Sequence, residues 1–86
     1  MKLKKEFIAY HSETDGVIIP MQEADFSGIV RGNDAFGIMI DKLSVGTNEQ
    51  EIIESVLEQY KGTYEDVQNA VTSALEELRK IGALDE

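Results

Sequence analysis

Cysteine is absent from the 86 residues, and histidine and proline occur once each. Without cysteine there is no disulfide framework and no thiolate-based zinc or redox site. A single histidine leaves every familiar zinc pattern incomplete. No run of about 18 apolar residues occurs, so no transmembrane helix is expected. The start "MKLKKEF" holds three lysines, but no apolar h-region or small-residue cleavage site follows. No signal peptide is therefore expected, and the cytoplasm is the default location.

Positive charge is also scarce, with 8 basic against 17 acidic residues and a formal charge of −9. Its distribution is uneven. Residues 1–15 are balanced, residues 16–47 carry −2, and residues 48–86 carry −7. Nucleic acid binding needs a basic footprint to neutralise phosphates, and the C-terminal half is the reverse of one. An anionic membrane surface is disfavoured on the same ground. The excess acid keeps a small protein soluble and suits a partner of basic character. At this length one domain is expected, spanning residues 1–86, with roughly 60–70 % of the unfolded surface buried on folding.

What is present reads as strands first and helices afterwards. "FIAYHSE" mixes aromatic and β-branched residues, "TDG" supplies turn chemistry and "VIIP" follows, which predicts a hairpin over about 6–12 and 16–21. Pro20 cannot donate to a ladder and belongs at a strand end or edge. A third strand is predicted over about 26–32, "FSGIVRG", with Gly28 marking a bulge or a close backbone approach. From Asn33 the apolar period lengthens to about 3.6, predicting helices over about 34–44, 48–61 and 64–81. Asn33 reads as the first N-cap, followed by an apolar stripe of Ala35, Phe36, Met39, Ile40 and Leu43. Gly37, costing about 1 kcal/mol relative to alanine, points to close packing there.

Thr47 with Gln50 reads as a capping box for the second helix, and Gly62 as its C′ stop. Thr63 caps the third, where Glu65 and Asp66 suit the positive end of its dipole. Val67, Ala70, Val71, Ala74, Leu75, Leu78 and Ile81 then cover an arc of roughly 140°. Gly82 ends that helix, with Leu84 folding back in Schellman fashion. The order predicts an α+β fold, a three-stranded antiparallel sheet followed by a three-helix bundle.

Catalytic chemistry has little to work with. His11 lies in a strand near a turn, where a lone histidine is ordinarily exposed or simply hydrogen bonded. The acids lie along helix surfaces, as Glu54 with Glu58 does, and such runs are usually solvated faces. No P-loop, EF-hand loop or GxGxxG occurs, and no serine has a histidine near it in sequence. An enzyme is not expected, and no metal or cofactor is implied. A phosphopantetheine carrier is a poor fit, because "DKLSVG" lacks the Asp-Ser-Leu context around Ser44. Binding remains. The third strand comes last before the helices, so in a meander it is an edge, whose unpaired N–H and C=O groups are a template for an added strand. Arg31 is either a device that blunts this edge or a selector of what pairs with it.

The ordered set "KLKKEF", "GVIIP", "DFSGIVRGN", "VGTNEQEIIESVLEQY" and "DVQNAVTSALEELRKIGAL" resembles the coenzyme PQQ synthesis protein D family. That fold also serves as the recognition element for ribosomally made, post-translationally modified peptides. The likeness runs over nearly the whole chain. Gly32 departs from it, since the family usually has a bulky apolar residue before the Asn, and so does a first helix without tryptophan. The resemblance implies a winged-helix-like domain without catalysis of its own. It would hold the leader segment of a precursor peptide and present it to a modifying enzyme, commonly a radical S-adenosylmethionine enzyme. Carried onto this chain, the peptide-binding edge is Ser27, Gly28, Ile29, Val30 and Arg31. The opposing wall comes from Val67, Ala70, Val71, Ala74, Leu75 and Leu78, not divided at this stage between groove and core. Two rival readings share the element types. One is a winged-helix DNA-binding regulator, which the acids of the third helix oppose; the other is a module whose edge pairs with its own copy.

Overall fold

The computed structural model describes residues 1–86. Five strands and three helices follow in the order β1 (Lys2–Leu3), β2 (Phe7–His11), β3 (Asp15–Pro20), β4 (Val30–Asn33), α1 (Asp34–Val45), α2 (Glu49–Gln59), α3 (Tyr64–Lys80) and β5 (Leu84–Asp85). The main sheet is antiparallel with order β2-β3-β4, so both β2 and β4 are edges. This is the α+β arrangement that the strand-then-helix order predicts, in the winged-helix-like form that the resemblance implies.

The hairpin register pairs His11 with Gly16 and Phe7 with Pro20. Its turn spans Ser12 to Asp15, one residue before the glycine, and is closed by the Ser12 N–H donating to the Asp15 carbonyl at 2.8 Å. Gly16 is thereby left inside β3, where it serves packing. A Cβ there would stand 2.6 Å from the backbone of Gly37, so the absence of a side chain at Gly16 lets α1 cross the sheet at backbone distance.

The third strand is shorter and later than the predicted 26–32. Gly28 has φ +128°, outside the range that L-residues readily adopt, and it breaks the extended run before Val30. Ser27, Gly28 and Ile29 therefore belong to the connection from Met21, which is pinned to the core by the half-buried Ala24 and Phe26.

Helix caps follow sequence closely, with corrections. Asn33 accepts from the Phe36 N–H and Thr63 from the Asp66 N–H. The α2 cap is Asn48 in place of Thr47: Asn48 accepts from the Glu51 N–H at 2.9 Å and its amide donates back to the Glu51 carboxylate at 3.0 Å. That helix ends at Gln59, with Tyr60 already extended, so Gly62 lies in the connection and not at C′. At the end of α3 the Schellman bonds run from Gly82 to Arg79 and from Ala83 to Leu78. Ala83, fully buried, takes the fold-back role predicted for Leu84. Leu84 instead pairs with Leu3 in the small β1–β5 ladder, which ties the two chain ends together.

The core sits between the inner face of the sheet and the three helices. Ile18, Met39, Ile40, Leu43, Ile52, Ile53, Leu75 and Leu78 are its fully buried large side chains. Each such side chain stabilises the fold by about 1.5–3 kcal/mol before entropy is charged against it. No helix is long and apolar enough to cross a membrane.

Candidate functional site: an open strand edge leading into an apolar groove

β4 pairs with β3 through Val30–Ile18, Arg31–Val17, Gly32–Gly16 and Asn33–Asp15. In an antiparallel sheet successive residues turn their N–H and C=O groups to opposite sides. Asp15 and Met21 bond to β2, so the odd-numbered residues of β3 face that way and Gly16 and Ile18 face β4. Gly32 and Val30 are consequently occupied, while Arg31 turns its backbone groups to the open side. Ile29, one step beyond the paired residues, is 62 % exposed. The usable edge is short, centred on Arg31 and extensible to Ile29. The Arg31 side chain is 70 % exposed, and its Nε stands 3.8 Å from Asp15. A pair so exposed and so long contributes little to stability, about 0–1 kcal/mol.

At the Asn33 end the edge opens into a groove of about 400 Å³. One wall is α1, through Ala35, Phe36 and Met39. The other is α3, through Val67, Ala70, Val71 and Ala74, with Asp66 at its rim. Val56, Tyr60, Lys61 and Gly62, from the end of α2 and the connection after it, complete a mainly apolar lining. The volume is within the roughly 300–1,000 Å³ of ordinary ligand pockets. The groove exists because α3 packs chiefly on α2 and not on the sheet. A wedge is left between α3 and the start of α1.

The predicted wall thus divides. Val67, Ala70, Val71 and Ala74 line the groove. Of the undivided set, Leu75 and Leu78, at 0 % and 1 % exposure, fall to the core and not to the groove. They belong to the same core cluster as Ile52 and Ile53 of α2. Of the predicted edge, Val30 and Arg31 lie in the strand and Ser27 and Gly28 do not, because of the glycine bend. Sequence reasoning missed the α1 wall, having assigned Ala35 and Phe36 to the core stripe; both are only half-buried. One signal was available in Gly32. A Cβ there would stand 2.6 Å from Cβ and Cγ of Phe36, so the Phe36 ring occupies the space a bulky residue before Asn33 would take.

Behind the groove lies a cluster of three perturbed ionisable groups; the other perturbed pair, Arg79 with Glu86, joins the end of α3 to the last residue. His11 Nδ1 stands 2.6 Å from Asp41 Oδ2 and its Nε2 2.5 Å from Asp34 Oδ1. The Tyr60 phenol donates to the other oxygen of Asp34. Hydrogen bonds to Asp34 and then Asp41 raise the His11 pKa from its ordinary 6.5. The Tyr60 and His11 hydrogen bonds hold the Asp34 carboxyl below its usual range, and Asp34 in turn pushes the Tyr60 phenol up. No group of three or more His, Cys, Asp or Glu side chains is placed to hold a metal ion.

The architecture and groove define a winged-helix-like α+β domain with an open sheet edge. Among solved structures, TbiB1 in complex with the TbiA(beta) leader peptide has this fold, with a TM-score of 0.79 over 99 % of this chain and 95 % of that one, at 16 % sequence identity. No protein-family model matches the chain, and no curated protein matches it.

Proposed function

We propose that this protein binds the leader segment of a ribosomally made precursor peptide and presents that precursor to a modifying enzyme. The observation that carries the reading is the continuity of the open β4 edge with the apolar groove between α1 and α3. An extended peptide adding to β4 would bond to the backbone of Arg31 and Ile29, and its alternate side chains would run into the groove beyond Asn33. Support also comes from the fold shared with TbiB1, which is described with a leader peptide bound. In this reading the chain performs no chemistry and needs no cofactor. The resemblance in sequence suggests a radical S-adenosylmethionine enzyme as the partner, and the strongly acidic helical half favours a basic docking surface on it.

The test is a calorimetric titration with leader peptides encoded beside the gene, followed by amide chemical shifts. Binding is expected around the micromolar range, roughly −8 kcal/mol. Shifts should concentrate in residues 29–33 and at Val67, Ala70, Val71 and Ala74. Ala70→Glu, at an exposed helical position, should keep the fold and weaken binding about tenfold or more by placing a carboxylate in the apolar groove. Absence of binding to every such leader, or shifts confined to the outer face of α2, would refute the reading.

A further inference from the structure

The His11 cluster is not used by strand addition, yet it reaches the groove. The imidazole lies against the backbone of Gly37, the one position in the middle of α1 without a side chain, and a Cβ there would collide with the ring. Asp34 and Asp41 project from the same face, one turn before and one turn after. Ionised carboxylates only accept hydrogen bonds, so two of them on the two ring nitrogens require both nitrogens to carry protons. His11 is therefore an imidazolium in this arrangement. Asp34 passes the constraint on, because its second oxygen holds the phenol of Tyr60. Tyr60 is the C-cap of α2, and it lines the groove.

We propose that His11 and Asp34 are positioning residues that hold Tyr60 in the wall of the peptide groove, so that peptide affinity depends on the charge of His11. This rests on the peptide-binding reading above. The groups facing His11 come from two helices: Asp34, Asp41 and Lys42 from α1, and Glu58 with Tyr60 from the end of α2. From β3 its cross-strand neighbour is the uncharged Gly16, and the adjacent Asp15 is engaged by Ser12 and Arg31. When the ring loses one proton, one of the two carboxylates faces a bare nitrogen lone pair and is released. Release of Asp34 removes the anchor of Tyr60. Release of Asp41 loosens the ring from α1.

Titration with a cognate leader peptide at about pH 6 and about pH 9 tests the proposal. Wild-type affinity should fall about three- to tenfold at the higher pH, the effect of one hydrogen bond to a wall residue. His11→Gln and Tyr60→Phe should each bind at the weaker level at both pH values. Tyr60→Phe changes a partly exposed side chain and keeps the test open if His11→Gln fails to fold. It also separates the effect from the Met1 amine, which donates to the Thr47 carbonyl and has no part in the His11 cluster. A wild-type affinity equal at both pH values overturns the proposal, as does an unchanged pH dependence in Tyr60→Phe. A second readout needs no peptide: the Tyr60 ring signals should follow the His11 titration in the nuclear magnetic resonance spectrum. Tyr60 signals that follow His11, with no leader bound at either pH, would support the positioning role and refute the peptide-binding reading. Tyr60 signals indifferent to His11 overturn the positioning role.

Discussion

Replacing Gly37 by alanine sets two effects of opposite sign against each other. In an exposed helix interior the change stabilises by about 1 kcal/mol, because glycine loses more backbone freedom on folding. Here the new Cβ would overlap the His11 ring, with Cδ2 and Nε2 as its nearest atoms. Overpacking of this kind costs about 1–3 kcal/mol. The clash is severe and the ring is held on both sides by carboxylates, so the upper end applies and the net loss should be about 2 kcal/mol. In a domain of this size that lowers Tm by roughly 8–16 °C. Denaturant unfolding of four proteins decides it: wild type, Gly37→Ala, His11→Ala and the double variant. With the ring removed, alanine at 37 should recover its propensity advantage, so the sign of the Gly37→Ala effect should reverse between backgrounds. Stabilisation by Gly37→Ala in the wild-type background, or the same sign in both backgrounds, would show that the imidazole is not lodged against α1.

Further outcomes follow from the same contacts. Stability should be greatest between the ordinary Asp34 value of 3.8 and the ordinary His11 value of 6.5. The raised His11 pKa adds stability that is complete below 6.5 and lost as pH rises through the folded value; the lowered Asp34 pKa adds stability complete above 3.8 and lost as pH falls through its folded value. Unfolding midpoints across pH should therefore show an alkaline decline in the wild type that is absent from His11→Gln. Leu75→Ala should cost about 2–5 kcal/mol by opening a cavity in the core, whereas Ala70→Glu should leave unfolding nearly unchanged. Thermal melts of the two would test the division of α3 between core and groove. Gly82→Ala, at φ +74°, should cost about 1 kcal/mol by forcing a side chain into the left-handed region. A melt unchanged from wild type would contradict that cap geometry.

The sequence by itself determined the three strands of the main sheet, the three helices and most of their ends, but not β1 or β5. The change of apolar period at Asn33, the caps at Asn33 and Thr63, and Gly82 as a stop are local signals, because each is a bond or a backbone restriction within a few residues. Local chemistry also misled where two neighbours compete for one role. Thr47 and Asn48 both read as caps, and the longer amide of Asn48 reaches Glu51 in both directions. Leu84 and Ala83 both follow the Gly82 stop, and pairing with Leu3 claims Leu84 for a ladder of which residues 1–5 give little hint.

Only the tertiary structure decided which apolar residues face a ligand space. Ala70 and Leu75 share one periodic stripe, and nothing local distinguishes them. What separates them is that α3 leans on α2 and leaves a wedge beside α1. Val30 and Arg31 are adjacent in one strand, yet the pairing with β3 occupies the backbone of one and frees that of the other. His11, a lone histidine in the sequence, becomes a charged tie between β2 and the groove wall because Gly37 makes room for its ring between two aspartates from α1. Each of these depends on distances between residues far apart along the chain, and periodicity along one element carries no information about its neighbours' placement.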